Sequence, residues 1–464
     1  MFGKSKNSVK RGLNIIIVGC GKVGATLTEQ LSKEGHDITL IDKNAAALNS
    51  LVDMYDVMGI VGNGASYSIQ MEAGIENADL LISVTNSDEL NLLCCTVAKR
   101  VGDCAAIARV RNPDYNDEIN YLREKLGLAM IINPEREAGR EMAKVLCLPT
   151  ALEINTFAHG QAEMIKLKIP QGNIMHNQSI VSLAKNISVS FLICAIERNG
   201  EVTIPSGDFV LHAGDLISFI TPRLTTRTFL KEIGFETHQV ANTMIVGGGT
   251  SAYYLARRLI SSGIDVKIIE KDEKKCEELS ILLPEATIIH GDGTNADLLQ
   301  EEGIEDVESF VPLTGIDEEN IMLTLHTKQV SNAKVITKIN RFSFKSVVNS
   351  LDLGSVIYPK YITAEAIIAY VRAKQASMDS NIETLYHLFD YQAEAIEFRI
   401  DKPSAVTDIT LRDIKLKNNL LIATINRNGR IFIPTGTDSI HLGDTVIVVT
   451  TNRGLNDVRD ILKN

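Results

Sequence analysis

Short apolar runs alternate with longer amphipathic stretches along most of the chain. The segment 14–19 is apolar almost throughout and ends in a glycine, as expected of a parallel strand buried on both faces. In the first half the pattern predicts strands over 14–19, 37–41, 57–61, 80–84, 105–110 and 130–132, and helices over 23–33, 45–55, 69–75 and 91–101. Strands that alternate with helices predict an α/β fold with a doubly wound parallel sheet.

The second half repeats the first step for step. Gly247 and Glu270 are separated by the same interval as Gly19 and Asp42, and each acidic residue closes an apolar run. The predicted strands of this half cover 242–247, 266–269, 287–290, 309–313, 335–339 and 356–358. The chain is therefore predicted to contain two Rossmann-like domains of the same design.

A helix that begins near a proline follows each predicted sheet, over 134–146 and 360–374, and leads into a small module rich in strands. Arg-Asn-Gly recurs between apolar runs in both modules and predicts tight hairpins. We expect each Rossmann-like domain to be followed by a small α+β module. The predicted boundaries are 1–12 for a basic tail, 13–133 and 241–358 for the Rossmann-like domains, and 134–235 and 359–464 for the helices with their small modules.

The first glycine loop has the spacing of a dinucleotide fingerprint. Gly19, Gly21 and Gly24 follow a predicted strand, open a helix and precede Asp42 at the end of the next strand. The helix N-terminus offers N–H donors to a pyrophosphate, and Asp42 would accept hydrogen bonds from ribose hydroxyls but repel a 2′-phosphate. The pattern favours NAD(H) or ATP/ADP over NADP; the alternative is a vestigial loop whose glycines serve packing.

The second loop departs from the fingerprint at one position. Gly247-Gly248-Gly249 is retained, but Ala252 replaces the third glycine, and Glu270 takes the place of the ribose-binding aspartate. Alanine is permitted at that position, so a second nucleotide site is expected. The alternative is a duplicated but degenerate pocket.

Other polar residues follow strands at the edge where ligands bind in such sheets. Asn63 and Asp292 lie in Gly-x-Gly turns and would face the adenine or its ribose, or form plain turns. Thr85 and Asn86 follow the fourth strand, with Asp88 shortly after them. Arg109 ends the fifth strand, where it would pair with a phosphate or form a surface salt bridge.

Composition limits the classes of function. A net charge of −11 on 464 residues argues against a nucleic-acid partner, and no apolar stretch has the length of a membrane span. The seven cysteines lack a CxxC motif, which favours reduced thiols in a cytosol, and Cys94-Cys95 is expected in a helical core. The basic start is either a solvated tail or a weak attraction to an acidic membrane surface.

Catalytic and metal-binding patterns are missing from the sequence. His212 and His441 recur in predicted turns, His36 is expected in a solvated loop, and there is no serine elbow, Walker lysine or metal-ligand spacing. Two nucleotide loops without an acid/base indicate a sensor that is not an enzyme. The alternative is an NAD-dependent oxidoreductase whose catalytic groups escape recognition.

Several short motifs accompany the tandem large–small order. These are Gly62–Ala65, the Thr-Asn-Ser-Asp segment 85–88 with Asn91, the Asn133-Pro134 helix start and the His-x-Gly-Asp turns. In this order and these motifs the chain resembles the RCK (KTN) regulators of potassium transport. The resemblance implies a cytoplasmic, peripheral subunit on the inner face of the cell membrane, assembled from four chains. It also implies docking on a membrane potassium translocator of the Trk/Ktr type, with NAD(H) and ATP/ADP as ligands. A regulator of a potassium channel or exporter is the other possibility within the family.

The resemblance also implies which side chains would line the nucleotide sites, since it extends over residues 13–464. On that basis nucleotide binding would change the shape of the assembly and gate the translocator. The candidate cofactor-binding residues are Gly19, Cys20, Gly21, Lys22, Val23, Gly24, Asp42, Gly62, Asn63, Gly64, Thr85, Asn86, Arg109, Gly247, Gly248, Gly249, Thr250, Ser251, Glu270 and Asp292.

Overall fold

The structure is a computed structural model that describes residues 12–115, 118–341, 345–377, 381–389 and 392–463. All but the last residue of the predicted basic tail lies outside the described residues. The chain divides into two compact units. The first contains the described residues up to Ala138 together with Tyr358–Ile368, and the second contains Gly139–Ile357 and the chain from Ala369 onward.

The first unit contains a six-stranded parallel sheet with the order β3-β2-β1-β4-β5-β6. This is the Rossmann order, with the topological switch point between β1 and β4. Its strands are β1 (Asn14–Val18), β2 (Asp37–Asp42), β3 (Met58–Val61), β4 (Leu80–Ser83), β5 (Ala105–Arg109) and β6 (Met130–Ile132). Its helices are α1 (Lys22–Lys33), α2 (Ala45–Tyr55), α3 (Tyr67–Glu72), α4 (Asp88–Val101) and α5 (Ile119–Lys125), and α6 (Pro134–Cys147) follows β6.

The central strands are buried on both faces, which explains their continuous apolar sequence. Ile17 on β1 and Leu81 on β4 are fully inaccessible to solvent, and so are Cys94 and Cys95 on the helix that covers β4 and β5. The prediction that the two cysteines belong to a helical core is therefore confirmed.

The second unit contains a parallel sheet of the same order, β14-β13-β12-β15-β16-β17, and two small antiparallel sheets. The predicted class, two Rossmann-like sheets each followed by a small module, is confirmed. The parallel strands are β12 (Asn242–Val246), β13 (Asp265–Glu270), β14 (Thr287–His290), β15 (Ser309–Pro312), β16 (Lys334–Lys338) and β17 (Ser355–Ile357). The accompanying helices are α9 (Thr250–Ser261), α10 (Glu273–Leu282), α11 (Ala296–Glu301), α12 (Asp317–Val330) and α13 (Lys345–Ser350), and α14 (Pro359–Ser377) follows β17.

The small modules share one strand order, β10-β9-β11-β8-β7 in the first and β21-β20-β22-β19-β18 in the second. Asn199 and Gly200 have φ values of 55° and 83° and join β9 to β10 in a two-residue hairpin, as predicted. The elements of the first module are β7 (Glu153–Phe157), β8 (Ala162–Lys168), α7 (Ile180–Ala184), β9 (Leu192–Arg198), β10 (Glu201–Thr203), β11 (Leu216–Pro222) and α8 (Thr226–Glu232). Those of the second are β18 (Ile382–Leu388), β19 (Ala393–Arg399), β20 (Leu420–Arg427), β21 (Arg430–Phe432) and β22 (Thr445–Thr450).

Both small modules contribute to one shared hydrophobic cluster within the second unit, besides the cluster that each forms on its own. The rings of Phe157 and Tyr386 meet edge to face with their centroids 4.9 Å apart. The backbone N–H of Ala158 donates to Oε1 of the buried Glu397 at 2.9 Å. The two modules are therefore joined by packing and by a buried polar contact.

Three local predictions were wrong. Helix α3 covers Tyr67–Glu72 and not residues 69–75, because the chain leaves the helix at Gly74, whose φ is +78°. Helix α4 begins at Asp88 and not at residue 91, because the Ser87 hydroxyl accepts from the N–H of Leu90 and caps the helix. His36 is buried and not solvated, since its Nδ1 accepts a hydrogen bond from the backbone N–H of Leu13 at 3.1 Å. In the described parts of the chain, every helix is too short or too polar to traverse a lipid bilayer.

Candidate nucleotide-binding sites

The first glycine loop connects β1 to α1 and leaves open space in front of the helix. Gly19 has a φ of +108°, which favours glycine, and its N–H donates to the carbonyl of Ile41 at 2.9 Å. A Cβ added to Gly21 would meet no described protein atom within 4 Å, and no side chain caps α1. The N–H groups of the first helical turn are therefore available to an anionic group such as a pyrophosphate.

Gly24 holds the first turn of α1 against the loop. A Cβ at this residue would lie 1.9 Å from the carbonyl oxygen of Gly19, so the observed loop requires glycine there. In the second half the buried Ala252 occupies this position, and its N–H donates to the carbonyl of Gly249 at 2.9 Å. The same carbonyl also accepts the regular α-helical hydrogen bond from the N–H of Tyr253 at 3.1 Å, so the first turn of α9 accommodates a side chain at this position.

The predicted ribose-binding acids also hold the glycine loops in place. Asp42 accepts from the N–H of Cys20 at 2.6 Å and from that of Asn44 at 2.8 Å. Glu270 accepts from the N–H of Gly248 at 2.5 Å and from that of Asp272 at 2.9 Å. Each acid therefore accepts two backbone hydrogen bonds, one of them from its glycine loop, and these bonds fix its carboxylate beside the loop.

The two loops differ in the residue at their second position and in how deeply their acidic residue is buried. Burial and then the charge of Asp42 raise the pKa of Cys20 to about 12, so its thiol is protonated at neutral pH. A Cβ at the corresponding residue, Gly248, would lie 2.6 Å from Cδ1 of Leu279, so the leucine side chain would have to shift to admit it. Glu270 is also buried, whereas Asp42 is half-buried. The second site is thus the more tightly packed of the two.

Three predicted site residues meet at the switch point of the first sheet. Arg109 donates through Nη2 to the carbonyl of Thr85 at 2.5 Å and to Oδ1 of Asn86 at 3.4 Å. Its side chain is buried, so the surface salt bridge considered from the sequence is wrong, and burial lowers its pKa. Among the described residues its Nε has no hydrogen-bond partner. A buried guanidinium with an unsatisfied donor suits a phosphate oxygen.

A buried asparagine, Asn91, organises this corner and was not among the predicted site residues. Its Oδ1 accepts from the N–H of Thr85 at 2.8 Å and its Nδ2 donates to the carbonyl of Arg109 at 2.8 Å. Asn320 makes the same pair of contacts with Thr314 and Lys338, at 2.9 and 3.0 Å. The signal in the sequence was the recurrence of this asparagine in both halves.

The Gly-x-Gly turns after β3 and β14 make mainly local contacts. A Cβ at Gly64 would lie 2.3 Å from Cγ1 of Val18, and one at Gly62 would lie 2.6 Å from Cδ1 of Ile69, so a side chain at either position would force its neighbour to shift. Asn63 accepts from the N–H of Ala65 at 3.3 Å. Asp292 binds both the N–H and the hydroxyl of Thr294, which lowers the pKa of its carboxyl. These contacts are typical of turns. The contact of Asn63 and Asp292 with the adenine or its ribose therefore stays a prediction.

Domain-family models match both halves of the chain. The TrkA-N domain matches residues 15–134 and 243–359, and the TrkA-C domain matches 164–234 and 395–463. The Trk system potassium uptake protein TrkA of Halomonas elongata is 31% identical over 97% of this chain and 99% of its own. A Methanosarcina mazei protein named Trk system potassium uptake protein TrkA homolog 1 is 28% identical over 97% of this chain and 100% of its own.

Solved structures share the fold. The RCK domain of the GsuK channel aligns over 96% of this chain and 93% of its own, with a TM-score of 0.63 and 18% identity. The GsuK channel bound to NAD aligns over 96% of this chain and 78% of its own, also with a TM-score of 0.63 and 18% identity. The resemblance to RCK regulators is confirmed, and the chain belongs to the TrkA family, with a TrkA-N and a TrkA-C domain in each half.

Proposed function

We propose that this chain is a nucleotide-sensing regulatory subunit of a Trk-type potassium uptake system. Its named relatives are Trk potassium uptake proteins, and they match it over nearly its full length. The observation that carries the nucleotide part is the open space at Gly21, in front of the uncapped N-terminus of α1. A helix N-terminus approached through a glycine without side-chain obstruction is the usual cradle for a nucleotide phosphate.

The ligand of the first site would be NAD(H) or ATP/ADP. The N–H groups of Lys22, Val23 and Gly24 would bind the phosphates. Asp42 would bind the ribose, because each of its carboxylate oxygens can accept a second hydrogen bond besides the one from the loop. Arg109 would add a charge-assisted bond to a phosphate oxygen. The second site would use Gly249, Thr250 and Ser251 in the same way, with weaker affinity because it is more tightly packed.

A close contact between two helices in the second unit would couple nucleotide binding to a conformational change. Gly139 on α6 lies so near α9 that an added Cβ would be 2.9 Å from the backbone N of Leu255 and 3.1 Å from Cβ of Tyr254. Helix α9 begins at the second glycine loop, and α6 leads into the first small module. A displacement of α9 on binding would therefore move α6 and the module behind it.

The role is regulatory and not catalytic in this proposal. Four chains would form a cytoplasmic assembly on the inner face of the membrane, docked on a potassium translocator of the Trk/Ktr type. Nucleotides would shift the assembly between two shapes by their difference in affinity for them. An NAD-dependent oxidoreductase remains the competing function, and turnover measurements separate the two.

The test compares Gly21→Ala with Gly436→Ala. The first places a methyl group in the open space of the loop, and the second adds one beside Arg412 in ordinary van der Waals contact. Calorimetric titration with NAD, NADH, ATP and ADP should show at least tenfold weaker binding for Gly21→Ala, with Gly436→Ala unchanged. Potassium flux through the reconstituted translocator should lose its nucleotide dependence in the same variant.

Two results would contradict the proposal. Flux that ignores saturating nucleotide in the wild type would remove the gating role. Steady oxidation or reduction of a metabolite by the purified chain, with NAD(H) consumed in proportion, would favour the oxidoreductase instead.

A further inference from the structure

A cavity of about 720 Å³ lies in the second unit, and its lining includes no residue of a glycine loop. Its walls come from the start of the first small module at Thr150 and Leu152, from the linker at His238, and from the N-terminal edge of the second parallel sheet at Glu308 and Lys334. Nucleotides bind such sheets at the opposite, C-terminal edge. The volume is that of a pocket for a small molecule.

Lys334 lines the cavity, and its amine forms no ion pair with a carboxylate among the residues that the structure describes. Nζ of Lys334 donates to the carbonyl oxygen of Ala151 at 2.6 Å. Burial, with a smaller contribution from the ammonium of Lys328, lowers the pKa of Lys334 to about 7. Both effects destabilise the charged form, so an anion beside Nζ would stabilise it.

Thr150 belongs to the wall of the same cavity and carries a second donor. The hydroxyl oxygen of Thr150 is buried and has no hydrogen-bond partner among the described residues. Thr150 directly precedes Ala151, whose carbonyl holds Lys334, so the two donors come from neighbouring positions. An unsatisfied buried hydroxyl is costly unless something in the cavity accepts from it or donates to it.

Five carboxylates among the described residues also line the cavity, and one of them pairs with a lysine ammonium. Glu308 accepts from the N–H of Ala241 at 2.7 Å, Asp352 pairs with Lys328 at 2.6 Å, and Glu236 pairs with His238 at 3.1 Å. Glu305 and Asp306 are exposed to solvent. Screening by water therefore weakens their repulsion of an anion bound at Lys334.

We propose that this cavity binds a small anionic metabolite through a carboxylate or phosphate group held by Lys334 and Thr150. The ligand would contact the first small module, the linker and the second parallel sheet at once. Its binding would restrict movement among these three segments. The site is separate from the nucleotide loops and does not depend on their function.

The test titrates inorganic phosphate and succinate calorimetrically at constant ionic strength. The full chain carries Gly21→Ala and Gly249→Ala as background changes, so that binding at the glycine loops does not contribute. Lys334→Gln should weaken binding about tenfold or more, because a charge-assisted hydrogen bond is lost. Lys334→Arg should retain most of the affinity, and Thr150→Val should weaken it severalfold while leaving Lys334 in place.

Lys402→Gln is the matched control, since it removes the same charge from an exposed lysine of the same unit. It should bind as the background protein does. Saturable binding of phosphate alone identifies a phosphate-bearing ligand, and binding of succinate alone identifies a carboxylate. The proposal would be overturned if Lys334→Gln bound the probes as tightly as the background protein, or if neither probe gave saturable heat. If Lys334→Gln does not fold, unchanged binding in Thr150→Val would overturn it instead.

Discussion

The carboxylate of Asp42 accepts a hydrogen bond from the backbone N–H of Cys20, 2.6 Å away, and so joins the end of β2 to the glycine loop. Asp42→Ala leaves this N–H and that of Asn44 without their acceptor. We expect a loss of about 1–3 kcal/mol in the free energy of unfolding of the first unit, measured by urea denaturation. Asp42→Asn keeps one acceptor oxygen and should cost less.

Asp42→Asn also tests the proposed discrimination between nucleotides. The carboxylate would repel the 2′-phosphate of NADP, and the neutral amide would not. The ratio of NAD to NADP affinity should therefore fall in this variant, as measured by parallel titrations. An unchanged ratio would mean that the ribose lies away from Asp42.

Gly24→Ala should disrupt the first loop, because the new Cβ would lie 1.9 Å from the carbonyl oxygen of Gly19. Either α1 or the loop must shift, and we expect a cost of about 2 kcal/mol or more with loss of nucleotide binding at this site. Ala252→Gly is the matched change in the second half. It should cost only about 0.5–1 kcal/mol, from the flexibility of glycine near the start of a helix.

Thermal denaturation and binding titrations of the two variants measure both effects. Wild-type binding by Gly24→Ala would show that the loop adapts to a side chain as the second half does.

Asn91→Ala should destabilise the switch point of the first sheet. The variant leaves the N–H of Thr85 and the carbonyl of Arg109 without their partner in a fully buried position. The expected loss is about 1–3 kcal/mol, with weaker nucleotide binding because Arg109 and Thr85 are no longer held together. Asn320→Ala provides the equivalent change in the second half, and binding at the first site should survive it.

Stability should depend on pH through Lys334. Its pKa is about 7 in the folded chain and near 10.5 when exposed, so between these values the unfolded chain binds a proton that the folded chain does not. The free energy of unfolding should therefore rise with pH over that interval, by at most about 1.4 kcal/mol per pH unit. Lys334→Met should give a flatter profile in calorimetric scans, and parallel profiles would contradict the assignment.

The sequence predicted the features that depend on local pattern. Apolar runs that end in glycine predicted the parallel strands. The recurrence of Gly19 and Asp42 as Gly247 and Glu270 indicated that the domain is duplicated. The environment of Arg109 was not predictable, because its burial results from strands distant in the sequence. The cavity at Lys334 was missed for the same reason: a lysine at the start of a strand looks solvated until a separate module is placed over it.

The joint between the small modules has a consequence for each duplicated half on its own. Separating the halves would expose Phe157, Leu388, Phe389 and their neighbours to water and leave Glu397 without Ala158. Each half alone would therefore present this apolar face to water unless it paired with a copy of itself.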